Sequence, residues 1–103
     1  MHVFAGIAVS DFDVAAEWYE RLFGGPPTMI PTHGEAVWRL TDSASVFIVA
    51  DDARAGSALV TIAVRDLDEL GLAPHRMVDE PGAPLRAVFA DPDGNTLSFF
   101  AEI

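Results

Sequence analysis

Apolar and polar character alternates over residues 2–9, with Val3, Ala5, Ile7 and Val9 on one face and His2, Phe4, Gly6 and Ala8 on the other. A period of two predicts a β-strand. The period then lengthens: Phe12, Ala15, Tyr19, Leu22 and Phe23 recur at helical spacing and form an apolar stripe. Ser10 or Asp11 offers the N-cap of this helix, and Asp13 sits near its positive end. Gly24-Gly25 and Pro26-Pro27 stop it. Three short strands are predicted next, near 28–31, 36–40 and 45–50, separated by turn residues at His33-Gly34 and Asp42-Ser43.

The second half follows the same order. A strand is predicted over 58–64, a shorter helix over 67–72 that Gly71 and Pro74 interrupt, and strands over 76–78, 85–90 and 96–101. Pro81-Gly82 and Asp91-Pro92-Asp93-Gly94-Asn95 supply the turns. The repetition extends to the residues themselves. Ile7-Ala8-Val9-Ser10-Asp11-Phe12-Asp13 is echoed by Ile62-Ala63-Val64-Arg65-Asp66-Leu67-Asp68, and residues 42–51 can be laid over 93–102. The pattern therefore predicts a single α+β domain over 1–103, made of two βαβββ modules at 1–52 and 53–103. Their strands are expected to form a curved mixed sheet around a cavity.

Composition narrows the function classes. Half of the 103 residues are hydrophobic, which suits one modest core. The net charge is −10, with 16 acidic residues against six Lys and Arg, so a phosphate-binding surface and a nucleic-acid partner are not expected. An acidic surface attracts cationic ligands. No apolar run approaches the roughly 18–20 residues that span a bilayer, and Met1-His2-Val3-Phe4-Ala5 lacks the basic flank of an export signal. No membrane partner and a cytoplasmic location are the expectation. With no cysteine, thiolate chemistry is absent, and no serine sits in a recognisable nucleophile motif.

Two segments carry a family likeness. Residues 8–24, with Val9-Ser10-Asp11, small residues in mid-helix, the pair Trp18-Tyr19 and the closing Leu22-Phe23-Gly24, resemble the opening strand and helix of vicinal-oxygen-chelate proteins. Phe89-Ala90-Asp91-Pro92-Asp93-Gly94-Asn95 resembles the turn before the last strand of that superfamily, which includes glyoxalases, bleomycin-resistance proteins and extradiol dioxygenases. In the turn itself, Asp91 and Asp93 can bond their own backbone, Pro92 fixes φ and Gly94 tolerates positive φ, so it reads as a hairpin device.

The resemblance implies a metal site in the catalytic members, built from histidine or glutamine in the first strand of a module and glutamate in the last. Carried onto this chain, those positions are Phe4, Phe47, Leu59 and Ser98. Phenylalanine and leucine have no lone pair to give, and serine is a poor ligand for divalent Fe, Mn, Ni or Zn. No metal and no other cofactor are expected. A displaced site is conceivable at His2 and Glu102, which share strand parity with Phe4 and Ser98; His33 and His75 read as loop residues.

The expected alternative to a metal centre is a lined cavity. Phe4, Gly6, Ala8, Phe47, Val49, Leu59, Thr61, Ser98 and Phe100 would face it, with small Gly6 and Ala8 leaving room, Trp38 as a stacking platform and Glu102 at the rim. The resemblance then implies a metal-independent, homodimeric, bleomycin-resistance-like protein that sequesters a cationic or aromatic metabolite or antibiotic. The competing reading is an enzyme (lyase, isomerase or dioxygenase), either with a displaced metal site or with Glu102, His2 or Tyr19 moving a proton. A ligand-sensing subunit is a third.

Overall fold

The computed structural model describes residues 1–102 and contains seven strands, one α-helix and one short 3₁₀ turn. Strands β1 (Val3–Val9), β2 (Glu35–Thr41) and β3 (Ala44–Ala50) form one sheet in the order β1-β3-β2, with β1 parallel and β2 antiparallel to β3. Strands β4 (Leu59–Val64), β5 (Arg76–Val78), β6 (Arg86–Ala90) and β7 (Thr96–Ala101) form the other in the order β4-β7-β6-β5. There β4 is parallel to β7, and the remaining neighbours are antiparallel. The described residues are α+β, with two small mixed sheets and no closed barrel among them. The order and directions of β1-β3-β2 repeat in β4-β7-β6, and so does the register: Gly6 stands opposite Phe47 in the first sheet as Thr61 stands opposite Ser98 in the second.

Helix α1 (Phe12–Phe23) begins where the Asp11 carboxylate accepts the Val14 N–H at 3.2 Å and ends at Gly24, whose φ of 81° is open to glycine without strain. Asp13 near its start and Arg21 near its end complement the helix dipole. Ala15, Tyr19 and Leu22, three and four residues apart, are its fully buried face.

That face serves both sheets. The core joins Ile7, Val9, Trp38, Val46 and Ile48 of the first sheet and Phe89, Leu97 and Phe99 of the second to Tyr19 and Leu22 of the helix. Each sheet thus has an inner face turned to α1 and an outer face turned away from the shared core. Burial of several large side chains, each worth about 1.5–3 kcal/mol, holds this arrangement.

Two predicted elements differ. Residues 28–31 form no strand, only an isolated bridge from Met29 to Val37, because Pro26, Pro27 and Pro31 remove the donors a strand edge needs. The helix expected over 67–72 shrinks to the 3₁₀ turn Leu67–Glu69, capped by the Asp66 side chain on the Asp68 N–H at 2.9 Å. It stops there because Gly71 docks on the end of α1: its N–H donates to the Leu22 carbonyl at 3.1 Å, and a β-carbon at this position would lie 1.8 Å from the Arg21 carbonyl oxygen. Between the sheets lies a packed core, with an open cleft beside it between β4 and the end of α1.

Candidate functional site

The sequence-derived cavity residues fall on two outer faces. Strand parity puts Phe4, Gly6, Ala8, Phe47 and Val49 on the outer face of the first sheet, and Leu59, Thr61, Ser98 and Phe100 on that of the second. Phe4 and Leu59 are the large apolar residues most open to solvent among these, 53% and 76% exposed. One chain does not bring the two groups together, since both sheets turn their other face to α1.

The first face is locally organised. The His2 ring stacks on Phe4, with centroids 4.4 Å apart, and its Nε2 lies 2.8 Å from the Ser45 hydroxyl. The expected room at Gly6 is filled by Phe47: a β-carbon on Gly6 would come 2.5 Å from the tip of that ring. Glycine here is what lets Phe47 lie flat on the strand. On the second face, the Thr61 and Ser98 hydroxyls are 3.3 Å apart and Ser98 is buried.

Trp38 does not belong to either outer face. It sits on the inner side with Ala36, 4% exposed, against Tyr19 and Phe23, and its indole N–H donates to the Gly25 carbonyl at 3.1 Å. Its strand gave no clean parity, because Ala36, Val37 and Trp38 are all buried.

The four positions at which the catalytic members place ligands are occupied by two phenylalanines, a leucine and a serine already engaged with Thr61. These do not fit a divalent metal. His2 and Glu102 flank different sheets: His2 precedes β1 beside Ser45, and Glu102 follows β7, where its N–H donates to the Val64 carbonyl. Among the described residues, no three His, Asp or Glu side chains gather as a metal would require. Tyr19 is no proton shuttle: it is buried in the core and donates to Asp91 at 2.8 Å. Burial first, then the Asp91 carboxylate beside it, push its phenol pKa far above the ordinary value of 10.0.

The Asp91–Asn95 turn does more than close a hairpin. Asp91, 5% exposed, accepts the N–H groups of Asp93 and Asn95 on Oδ1, and the Tyr19 hydroxyl and the Asn95 amide on Oδ2. Asn95, fully buried, donates to the Ala8 carbonyl at 2.8 Å and accepts from the Gly56 and Ala58 N–H groups at 3.1 and 2.9 Å. Asp93 takes the backbone N–H and hydroxyl of Ser10. The turn thus ties β1, α1, the inter-module loop and the last strand into one network. No buried side-chain polar atom among the described residues lacks a partner.

No protein-family model and no curated protein matches the chain. Among solved structures, it is similar to a glyoxalase / bleomycin resistance protein from Catenulispora acidiphila DSM 44928. The two are 34% identical over 100% of this chain and 99% of that one, with a TM-score of 0.92. Its fold also matches a bleomycin-binding protein complexed with bleomycin, at 20% identity, 100% and 99% coverage and a TM-score of 0.74. A lactoylglutathione lyase from Agrobacterium tumefaciens matches at 13% identity, 98% and 92% coverage and a TM-score of 0.74. On the near-complete match to the first of these, the chain belongs to the glyoxalase / bleomycin-resistance family of the vicinal-oxygen-chelate superfamily.

Proposed function

We propose that the chain is a metal-independent small-molecule-binding protein that sequesters a cationic or aromatic metabolite or antibiotic in the cytoplasm, acting as a homodimer. The observation that carries the reading is the occupancy of the four ligand positions by Phe4, Phe47, Leu59 and Ser98. Apolar contact surface stands where donors would stand, and two of these side chains are left in water. Two large apolar side chains on separate outer faces form a binding surface once a second copy sets its β4 face against the β1 face of the first. In that arrangement Phe4, Phe47, Leu59 and Phe100 would grip a flat or greasy ligand, with Gly6, Thr61 and Ser98 between them and Glu102 supplying charge at the rim. The chain's net charge of −10 favours approach of a cation.

Calorimetric titration with metal-free bleomycin as the cationic aromatic probe tests this, alongside metal content after incubation with Fe, Mn, Ni, Zn and Co. Retained metal below about a tenth of an equivalent, with saturable binding that Phe4→Ser and Leu59→Ser each weaken, supports the reading. Near-stoichiometric metal that His2→Ala or Glu102→Ala releases would overturn it.

A further inference from the structure

The second half of the chain has no α-helix of its own among the described residues. On the first sheet, Ile7 and Val9 are fully buried beneath α1. Their counterparts on β4, Ile62 and Val64, are only half-buried, because a 3₁₀ turn stands where a covering helix would. The gap between β4 and the C-terminal end of α1 is a cleft of about 600 Å³. That volume lies within the range of small-molecule sites.

Its walls are chemically distinct from the rest of the molecule. Phe23, Trp38, Ile62, Val64 and Leu70 supply apolar and aromatic surface, and the backbone of Gly24 and Gly25 supplies a wall without side chains. The charged lining residues are Arg39, Arg65 and Glu69, and Arg39 is paired with the Asp42 carboxylate at 3.7 Å. Arg39 is already held by the Thr41 and Asp42 carbonyls at 3.3 and 3.2 Å. Arg65 is exposed and forms no ion pair among the described residues, although acids outnumber bases 16 to six.

We propose that this cleft is a second binding site, separate from the outer faces, for a flat aromatic monocarboxylate. The ring lies in the cleft against Phe23 and the lining edge of Trp38, facing Ile62 and Leu70. The carboxylate stays at the mouth, where the Arg65 guanidinium, without an ion pair among the described residues, offers a planar pair of donors. The site is opposite in charge preference to the outer-face reading and does not depend on it.

The test uses the full chain with Trp18→Phe, which leaves Trp38 as the one tryptophan. Two isosteric quenchers of opposite charge are titrated, 4-nitrobenzoate and 4-nitrobenzylammonium. Saturable quenching of Trp38 by the carboxylate, with the ammonium at least about fivefold weaker, is expected. Arg65→Gln should weaken the carboxylate about fivefold. Gly25→Phe should abolish the quenching by planting a ring at the wall: a β-carbon at Gly25 meets no atom within 4 Å, and its φ is not positive. Arg65→Gln decides the matter if Gly25→Phe does not fold. Phe4→Ser should leave this binding unchanged. Equal affinity for the two probes, quenching that never saturates, or a response to Phe4→Ser but not to Arg65→Gln overturns the proposal.

Discussion

Replacing Asn95 by alanine probes whether the Asp91–Asn95 turn is a local hairpin or the joint between the two halves. The side chain makes four hydrogen bonds of 2.8–3.1 Å, to the Ala8 carbonyl, the Asp91 carboxylate, and the Gly56 and Ala58 N–H groups. Alanine removes all four at once. At about 1 kcal/mol for each bond, the loss is about 4 kcal/mol, and poor water access to the vacated site would push it higher. Domains of this kind are stable by only about 5–15 kcal/mol, so the variant would lose a large share of its stability. With a urea m-value of about 1–2 kcal/mol/M, the midpoint should fall by about 2–4 M. Urea titration followed by far-UV circular dichroism, at one fixed protein concentration, reads this directly. Ser10→Ala is the control: it removes an exposed contact to Asp93 from the same turn and should cost less than about 1 kcal/mol. An Asn95→Ala protein within about 1 kcal/mol of the parent would refute the inter-module role and return the turn to a purely local one.

Gly71→Ala should cost about 2 kcal/mol or more, because its β-carbon would meet the Arg21 carbonyl oxygen at 1.8 Å and part the loop from α1; thermal unfolding followed by circular dichroism checks it. Tyr19→Phe should cost about 1.5–3 kcal/mol near neutral pH by deleting a buried bond to a carboxylate. The raised pKa of Tyr19 sets the sign of a pH effect: the folded protein keeps the phenol protonated, whereas the unfolded chain loses the proton near 10.0. This part of the stability is therefore complete below pH 10 and is lost as pH rises beyond it, by up to about 1.4 kcal/mol per pH unit. Tyr19→Phe should be free of that decline, so urea midpoints of the two proteins should converge between pH 9 and 11; parallel curves would contradict the account. Phe4→Asp and Leu59→Asp, at exposed outer-face positions, should shift the sedimentation coefficient toward monomer while leaving the circular dichroism spectrum unchanged.

Most of the secondary structure was legible because each half repeats a simple period: Val3 to Val9 by twos, then Ala15, Tyr19 and Leu22 by fours and threes. The echo between the halves has a counterpart in the pairing, where Gly6–Phe47 and Thr61–Ser98 stand alike. Legibility stopped where parity or turn chemistry had more than one solution. Ala36-Val37-Trp38 is an unbroken apolar run, so nothing local said that Trp38 faces the helix. Asp91, Asp93 and Asn95 were already explained by the tight turn. No residual oddity therefore signalled that Asp91 reaches Tyr19 and Asn95 reaches Ala8 across most of the chain.

The missing second helix and the polar joint are two sides of one solution. A short chain that gives up the second helix must cover two sheets with one, and a single buried stripe of Ala15, Tyr19 and Leu22 has little apolar area to spare for the second sheet. The joint supplies what that stripe lacks. Tyr19 crosses from the helix to Asp91, Asn95 crosses from the last strand to β1, and the Gly71 N–H fastens the helixless segment to the Leu22 carbonyl. Hydrogen bonds are directional where apolar burial is not, so three fixed links set the angle between the sheets with less buried area. The same economy leaves Ile62 and Val64 half-covered and opens the cleft beside Trp38. A variant that restored helix-forming residues over 67–72 would therefore be expected to close the cleft, and it would lose the Gly71 contact in doing so.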